Sequence, residues 1–148
     1  MTPIIPTTMN NTLPTVQTII GIGVDIIEID RFRSAMHKYG QRFLDKLFTK
    51  NEQQHCLRYK DPEPRFAARF SAKEAVVKAL GEGFGKNISF LDIEILNHPN
   101  GKPSATLSDK CSKHFHHPIF HLSMSHSRDY ATASAIALGN PSFQKENG

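Results

Sequence analysis

The feature that most constrains the fold is the segment IIGIGVDIIEIDRF (residues 19–32), an apolar run with an aspartate in its middle. Its isoleucines and its valine predict a buried strand over residues 19–27. A carboxylate buried there without a partner is costly or takes up a proton. Asp25 shares one strand face with Gly21 and Gly23, and we expect these glycines to leave open space for a ligand. The alternative is that Asp25 lies at a strand end and caps the next helix.

Periodicity predicts helices and strands for most of the remaining chain. Helices are expected over residues 30–47, from 50 to before the KDPEPR segment, over 65–80 and near 108–115. Strands are expected over residues 88–96, 104–107, 119–125 and 130–138. Thr49 and Glu52 have the spacing of a capping box. Because helices come mostly first and strands mostly later, we expect an α+β fold with an antiparallel sheet packed against helices.

The two ends of the chain differ from its middle. Residues 1–18 and 140–148 are predicted to be tails, the first flexible and the second polar, around one domain at 19–139. No run approaches the roughly 18 apolar residues of a membrane span. The N-terminus lacks the basic segment of a secretory signal. Cys56 and Cys111 do not form a disulfide framework, so we expect a cytoplasmic protein with free thiols.

The helix predicted over residues 65–80 carries the clearest chemical pattern. Its phenylalanines and valines form a core face, its alanines form a flat face, and between them lie Ser71, Glu74 and Lys78. Glu74 and Lys78 could form an ordinary i,i+4 pair worth about 0.3–0.5 kcal/mol. A helix buried on most sides has little room for such an idle pair. Two buried carboxylates, Asp25 and Glu74, beside a lysine are typical of a site for a hard cation and a phosphate.

Basic residues are slightly in excess, with 18 lysines and arginines against 14 acidic residues and a formal net charge of +4. This excess is compatible with an acidic partner. Arg31, Arg33 and Arg42 form a basic side of the first helix, which could equally be a solvated face. Lys73 lies beside the apolar face of the third helix, so it must snorkel or find an anion.

Five segments resemble a known family. GIGVDIIEIDRF, RFAARFSAKEAVVKALGEGFGK, ISFLDIEI, NGKP and HLSMSHS occur in the order and spacing of holo-acyl-carrier-protein synthase, the short class of the 4′-phosphopantetheinyl transferases. The resemblance covers residues 19 to about 138. It implies that fold, a homotrimer with the cofactor in a cleft between neighbours, and transfer of the phosphopantetheine arm of coenzyme A to a serine of apo acyl carrier protein. Adenosine 3′,5′-bisphosphate would be released, in support of fatty acid biosynthesis.

The resemblance also assigns roles to the three candidate catalytic residues. Asp25 and Glu74 would bind Mg²⁺, and Lys78 would lie by the phosphates. Glu74, directly or through a metal-bound water, would take the serine proton. The longer transferases carry a second acid two residues after this aspartate, where this chain has Ile27. Water is therefore expected at the third metal position. Ser71 replaces a frequent alanine of the family, a change expected to be tolerated.

The resemblance places two further segments beside coenzyme A. Gly83 and Lys86 of the GEGFGK loop would border it, together with Ser125 of HLSMSHS. Either His121 or His126 would meet the 3′-phosphate. From the residues alone, these segments are equally compatible with a helix-capping loop and a serine-rich edge strand.

For the partner, the resemblance implies that Arg31 and Arg42 contact an acidic helix of the carrier. Two other functions are compatible with the composition. One is a basic nucleic-acid-binding module, since the isoelectric point is about 9.2. The other is a coenzyme A-binding protein without catalysis. No helix-turn-helix, RNP or zinc-finger pattern occurs, and Asp25 with Glu74 argues for catalysis. We therefore expect a magnesium-dependent transferase that binds neither nucleic acid nor membrane.

Overall fold

The computed structural model describes residues 17–143. Their elements, in chain order, are β1 (Ile19–Glu28), α1 (Ile29–Leu47), α2 (Lys50–Leu57), α3 (Glu63–Ala79), one 3-10 turn (Phe90–Asp92), β2 (Ile93–Asn97), β3 (Pro103–Leu107), α4 (Asp109–His114), β4 (Ile119–His126) and β5 (Tyr130–Leu138). The expected α+β fold is confirmed. The tail assignments, 1–18 and 140–148, fall largely outside the described residues and stay predictions.

The strands form two antiparallel sheets. One has the order β1-β5-β4, and the other is the β2-β3 hairpin. In the larger sheet, Asp25 of β1 and Met124 of β4 lie opposite Ala133 of β5 from either side. Alternate alanines of β5 are buried, and α3 packs across this face, where it forms one apolar core with β5 and with side chains of β4. Helix α3 also contacts β1 extensively. This packing places α3 directly over β1, which is where the site is built.

The glycines of β1 serve the contact between this strand and α3. A Cβ atom at Gly21 would overlap the carbonyl oxygen of Ala79, and one at Gly23 would overlap that of Ala75. Only glycine lets the two backbones approach so closely. The expectation that these glycines open space for a ligand is therefore wrong, because the helix occupies that space.

One predicted strand and one predicted helix are less regular in the structure than the sequence suggested. Residues 88–96 do not form one strand, because Phe90–Asp92 is a 3-10 turn and the strand begins at Ile93. The Asp92 carboxylate accepts hydrogen bonds from both the backbone N–H and the hydroxyl of Ser89, which stabilises the turn. Helix α1 contains a non-helical residue, Gly40, with φ of 64°. That conformation favours glycine and interrupts the helix.

A buried ion pair joins the helices to the smaller sheet. Lys73 is fully buried, and its Nζ donates to Glu52 Oε1 at 2.7 Å, to the Leu47 carbonyl at 2.7 Å and to the Phe90 carbonyl at 2.9 Å. Glu52 also forms the predicted capping box with Thr49. Its second oxygen accepts from the Ile95 N–H at 2.8 Å. Of the two alternatives predicted for Lys73, contact with an anion is therefore the one observed, and the anion is Glu52.

Candidate active site

The structure brings Asp25, Glu74 and Lys78 together where α3 crosses β1. Lys78 Nζ donates to Asp25 Oδ1 at 3.2 Å and to the Val24 carbonyl at 3.0 Å. The Asp25 side chain is only 17% exposed, whereas that of Lys78 is 51% exposed. Lys78 thus pairs across to the strand rather than along its own helix with Glu74. This geometry disfavours both an ordinary i,i+4 ion pair between Glu74 and Lys78 and the helix-capping role for Asp25.

The ionised form of Glu74 lies in an unfavourable electrostatic environment. Partial burial raises the pKa of Glu74 above its ordinary value, and the negative charge of Asp25 raises this pKa further, while Lys78 opposes both effects. Like charges therefore repel within a partly desolvated site. An additional cation would relieve this repulsion.

The donor set fits Mg²⁺. Both side chains offer hard oxygen ligands, which Mg²⁺ prefers, and Mg²⁺ commonly uses one or two carboxylates together with phosphates and water. Within residues 17–143, no group of three or more His, Cys, Asp or Glu side chains is arranged to hold a metal. Two carboxylates are a donor set that leaves the other positions of such a cation to phosphate oxygens and water.

A separate polar cavity of about 170 Å³ lies between α2, α3, the β2-β3 turn and the end of β4. Its lining includes His55, Arg65, Arg69, Ser125 and His126. Burial lowers the pKa of His55, and the charges of Arg69 and other nearby arginines lower it further. The cavity is thus positively charged even with a neutral histidine, which suits a phosphate group.

Arg69 is the fixed element of this cavity. Its side chain is almost fully buried and donates to the Ile95 carbonyl at 3.2 Å and to Asn97 Oδ1 at 2.5 Å. Sequence reasoning missed Arg65 and Arg69. Their one-turn spacing on the same buried helix is the signal that could have identified them, by the argument used for Glu74 and Lys78.

The remaining residues predicted to bind the cofactor do not all lie in one place. Ser125 and His126 line the polar cavity, whereas His121 does not. Gly83 and Lys86 are exposed in the loop after α3 and lie outside that cavity. Of the two histidines, His126 is therefore the one that lies with the arginines of this cavity. The assignments of Gly83 and Lys86 remain predictions.

The arginines of α1 separate into two kinds. Arg33 is held by three carboxylates, at 2.9 Å from Asp30, 3.6 Å from Asp61 and 2.6 Å from Glu63. Arg31 and Arg42 are exposed and form no ion pair with another described residue. Arg33 therefore does not belong to the free basic side that the sequence predicted, whereas Arg31 and Arg42 do.

Apolar surface accompanies each of these two arginines. Arg31 borders a cavity of about 480 Å³ that contains Phe32, Phe43 and Tyr130. Arg42 borders a depression of about 380 Å³ lined also by Lys38, Tyr39 and Lys46. A surface that combines free positive charge with aromatic side chains suits an acidic, amphipathic partner helix.

A carboxylate pair with a lysine, together with a basic cavity on the same α+β fold, is an arrangement typical of enzymes that act on phosphate-bearing substrates. Comparison with known proteins identifies the family. Residues 21–135 match the family model of the 4′-phosphopantetheinyl transferase superfamily. The chain belongs to this superfamily and, within it, to the holo-[acyl-carrier-protein] synthases.

Named relatives cover most of the chain. The holo-[acyl-carrier-protein] synthase of Protochlamydia amoebophila is 55% identical over 117 residues, which are 79% of this chain and 96% of that protein. The Chlamydia felis protein of the same name is 54% identical over 117 residues, again 79% of this chain and 95% of that protein. The resemblance stated from the sequence is thereby confirmed.

Solved structures agree in fold. The Helicobacter pylori synthase in complex with coenzyme A is 34% identical with a TM-score of 0.72, covering 78% of this chain and 98% of that one. The Bacillus anthracis synthase, with coenzyme A (3′,5′-ADP), is 38% identical with a TM-score of 0.72, covering 84% and 100%. In the described part of this chain, no helix is both long enough and apolar enough to cross a membrane.

Proposed function

We propose that this chain transfers the 4′-phosphopantetheine arm of coenzyme A to a serine hydroxyl of apo acyl carrier protein and releases adenosine 3′,5′-bisphosphate. The observation that carries the proposal is the Asp25–Glu74 carboxylate pair beside Lys78, on the surface where α3 crosses β1. The relatives named holo-[acyl-carrier-protein] synthase support the same reaction. A nucleic-acid module is not favoured, because neither the fold nor the relatives point to one.

Asp25 and Glu74 would hold Mg²⁺, which when bound would neutralise charge on the diphosphate. Glu74, directly or through a water held beside it, takes the proton of the attacking serine. The serine oxygen forms a bond to the phosphorus that carries the pantetheine arm, and the bond from that phosphorus to the bridging oxygen breaks. Lys78, half exposed on a flexible side chain, turns from Asp25 to the departing bisphosphate and offsets its charge.

The basic cavity would hold the nucleotide end of coenzyme A. Arg65, Arg69 and His126 offer donors to a 3′-phosphate, with Arg69 already oriented by its bonds to β2. None of Asp25, Glu74 and Lys78 lines this cavity. One copy of the chain therefore presents the diphosphate site and the nucleotide site as separate surfaces.

A homotrimer with the cofactor between neighbours would bring the nucleotide site of one copy next to the diphosphate site of another. The sheet face of β1 opposite α3 is apolar and exposed, with Ile20, Ile22, Val24 and Ile26 between 49% and 68% accessible. The sequence predicted a buried strand, so a neighbouring copy would supply the cover that this face lacks. In this arrangement, the cavity of one protomer faces the carboxylates of the next.

Mixing two inactive variants tests this shared site. Asp25→Asn disables the carboxylates, and the double variant Arg65→Ala/His126→Ala disables the cavity. Mixed trimers should regain up to about a third of the wild-type rate, because one of their three sites combines an intact half from each variant. The measurement is transfer activity after co-expression, with each variant alone as control. Co-expressed variants that stay inactive although mixed trimers form would place both halves of the site in one protomer.

Arg31 provides a test of carrier docking. Arg31→Ala should raise the carrier KM about threefold to tenfold at low salt, because an exposed charge acts mainly through long-range attraction. The difference should shrink as salt rises, and the KM for coenzyme A should stay unchanged. Steady-state transfer at several salt concentrations measures both constants. A variant defective for coenzyme A but normal for carrier would move Arg31 to the cofactor site.

We place this activity in the cytoplasm and in the supply of carrier protein for fatty acid biosynthesis. Both cysteines are buried free thiols, which suits a reducing compartment. The proposed reaction is tested by measuring adenosine 3′,5′-bisphosphate release with coenzyme A and Mg²⁺. Release should require an apo carrier and should vanish when the acceptor serine of that carrier is replaced by alanine. Equal release without a carrier would indicate hydrolysis of coenzyme A instead.

A further inference from the structure

Ser71 of α3 carries a buried hydroxyl that the fold itself does not use. The residue is fully buried, and its Oγ has no hydrogen-bond partner among the described residues. Helical serines usually satisfy the hydroxyl by donating to the carbonyl four residues earlier, and Ser71 does not do so. Buried polar groups without a partner are rare and disfavour folding. An alanine, which the flanking stripe of this helix uses freely, would avoid this penalty.

The packing of α3 on β1 shows where this hydroxyl lies. Gly21 contacts the helix at Ala79, and Gly23 contacts it at Ala75. Two residues of a strand span about 6.6 Å and four residues of a helix span about 6 Å. Each step of two residues along β1 therefore corresponds to a step of four residues along α3. One further step along both elements brings Ser71 to the level of Asp25.

The hydroxyl also lies on the helix surface that carries the other site residues. Glu74 is three residues after Ser71, and Lys78 is seven residues after it, so all three side chains share one stripe. Asp25 receives a side-chain hydrogen bond from Lys78 at one oxygen, Oδ1. The structure gives its other oxygen no side-chain donor from the described residues. A free donor and a free acceptor thus lie at the same level of the helix–strand contact.

We propose that Ser71 is a positioning residue for the carboxylate pair. Its hydroxyl donates to the Asp25 carboxylate when Lys78 turns toward the substrate phosphates, and so keeps Asp25 oriented as a Mg²⁺ ligand. This inference rests on the proposed function, since it concerns the same site. It gives the hydroxyl a function at a position where the metal-free fold gains nothing from it.

The variant Ser71→Ala separates this role from a structural one. It should lower the affinity for a divalent cation and raise the Tm of the metal-free protein. Mn²⁺ affinity in the presence of coenzyme A, followed by electron paramagnetic resonance, should fall about tenfold, since hydrogen bonds to charged groups are the stronger ones. The Mg²⁺ concentration for half-maximal transfer should rise by a similar factor. The Tm of the metal-free protein should instead rise by about 3 °C, because the unsatisfied hydroxyl is gone.

Two further variants serve as controls. Ser71→Cys keeps nearly the same volume but lacks a strong donor, so it should lose Mn²⁺ affinity as Ser71→Ala does. Ser34→Ala removes an exposed helical serine of α1. It should leave Mn²⁺ affinity unchanged and shows how much of the Tm increase comes from helix propensity alone.

Three results would overturn the proposal. Wild-type Mn²⁺ affinity in Ser71→Ala would show that the hydroxyl does not act on the carboxylates. A lower metal-free Tm in Ser71→Ala would show that the hydroxyl already stabilises the fold. A wild-type protein that binds no Mn²⁺ with coenzyme A and transfers nothing would remove the proposed function as well. The first two results leave the proposed function intact, so the two failures are distinguishable.

Discussion

Glu74→Gln should lower kcat/KM for transfer by about a thousandfold or more, and Asp25→Asn should do the same. Each substitution keeps the size of the side chain and removes one charge from the pair. Loss of a general base alone typically accounts for about 10²–10⁴-fold in rate. Loss of a metal ligand adds to this effect. The measurement is steady-state transfer at saturating Mg²⁺, with Asp109→Asn as a charge-matched control on the exposed surface of α4.

Glu74→Gln should also be at least as stable as the wild type when metal is absent. In the folded protein, burial and the charge of Asp25 raise the pKa of Glu74, so the fold disfavours the ionised form. This destabilisation is present at neutral pH and is relieved as pH falls through the raised pKa. Glu74→Gln should therefore raise the metal-free Tm at pH 7, with the gain fading at acidic pH. Wild-type turnover in either carboxylate variant would contradict the site.

Lys73→Met should be the most destabilising of the single substitutions considered. The ammonium of Lys73 is fully buried and binds the Glu52 carboxylate and two carbonyl oxygens. Removing one partner of a buried pair leaves an uncompensated charge and typically costs about 3–5 kcal/mol. For a domain of this size, that corresponds to a Tm decrease of roughly 10–20 °C. Thermal melting followed by circular dichroism measures it.

Two further variants make the cause of that loss visible. Lys110→Met removes an exposed lysine of α4 and should change the Tm little. The double variant Glu52→Gln/Lys73→Met should recover part of the lost stability, because it no longer contains an unpaired buried carboxylate. Strict additivity of the two single effects would contradict a direct ion pair. A small effect of Lys73→Met alone would show that the core adjusts around the missing charge.

The sequence predicted much of the candidate active site because periodicity carries that information. A carboxylate in an apolar strand and a polar stripe on an otherwise buried helix were sufficient to single out Asp25, Glu74 and Lys78. In the folded chain these three side chains lie together, as that pattern predicts. The α+β fold was predictable for the same reason, since helical and strand periods differ plainly along this chain.

What the sequence could not predict depends on contacts between distant segments. Gly21 and Gly23 are required by the approach of α3, more than fifty residues away, and their side of the strand looks empty without it. Arg33 loses its free charge to Asp61 and Glu63, which come from the segment before α3 and its first turn. The basic cavity likewise combines four separate elements. A local sequence pattern does not encode such contacts between distant segments.

The central claim, that this chain is a phosphopantetheinyl transferase using the Asp25–Glu74 pair, is tested most directly by the intact mass of the carrier. Purified protein is incubated with coenzyme A, Mg²⁺ and an apo acyl carrier protein, and the carrier is then weighed by mass spectrometry. We expect the carrier to gain one phosphopantetheine group with wild-type protein. At the time when the wild-type reaction is first complete, we expect no detectable gain with Glu74→Gln or without Mg²⁺. A carrier mass unchanged by wild-type protein, or equal modification by Glu74→Gln, would contradict the account.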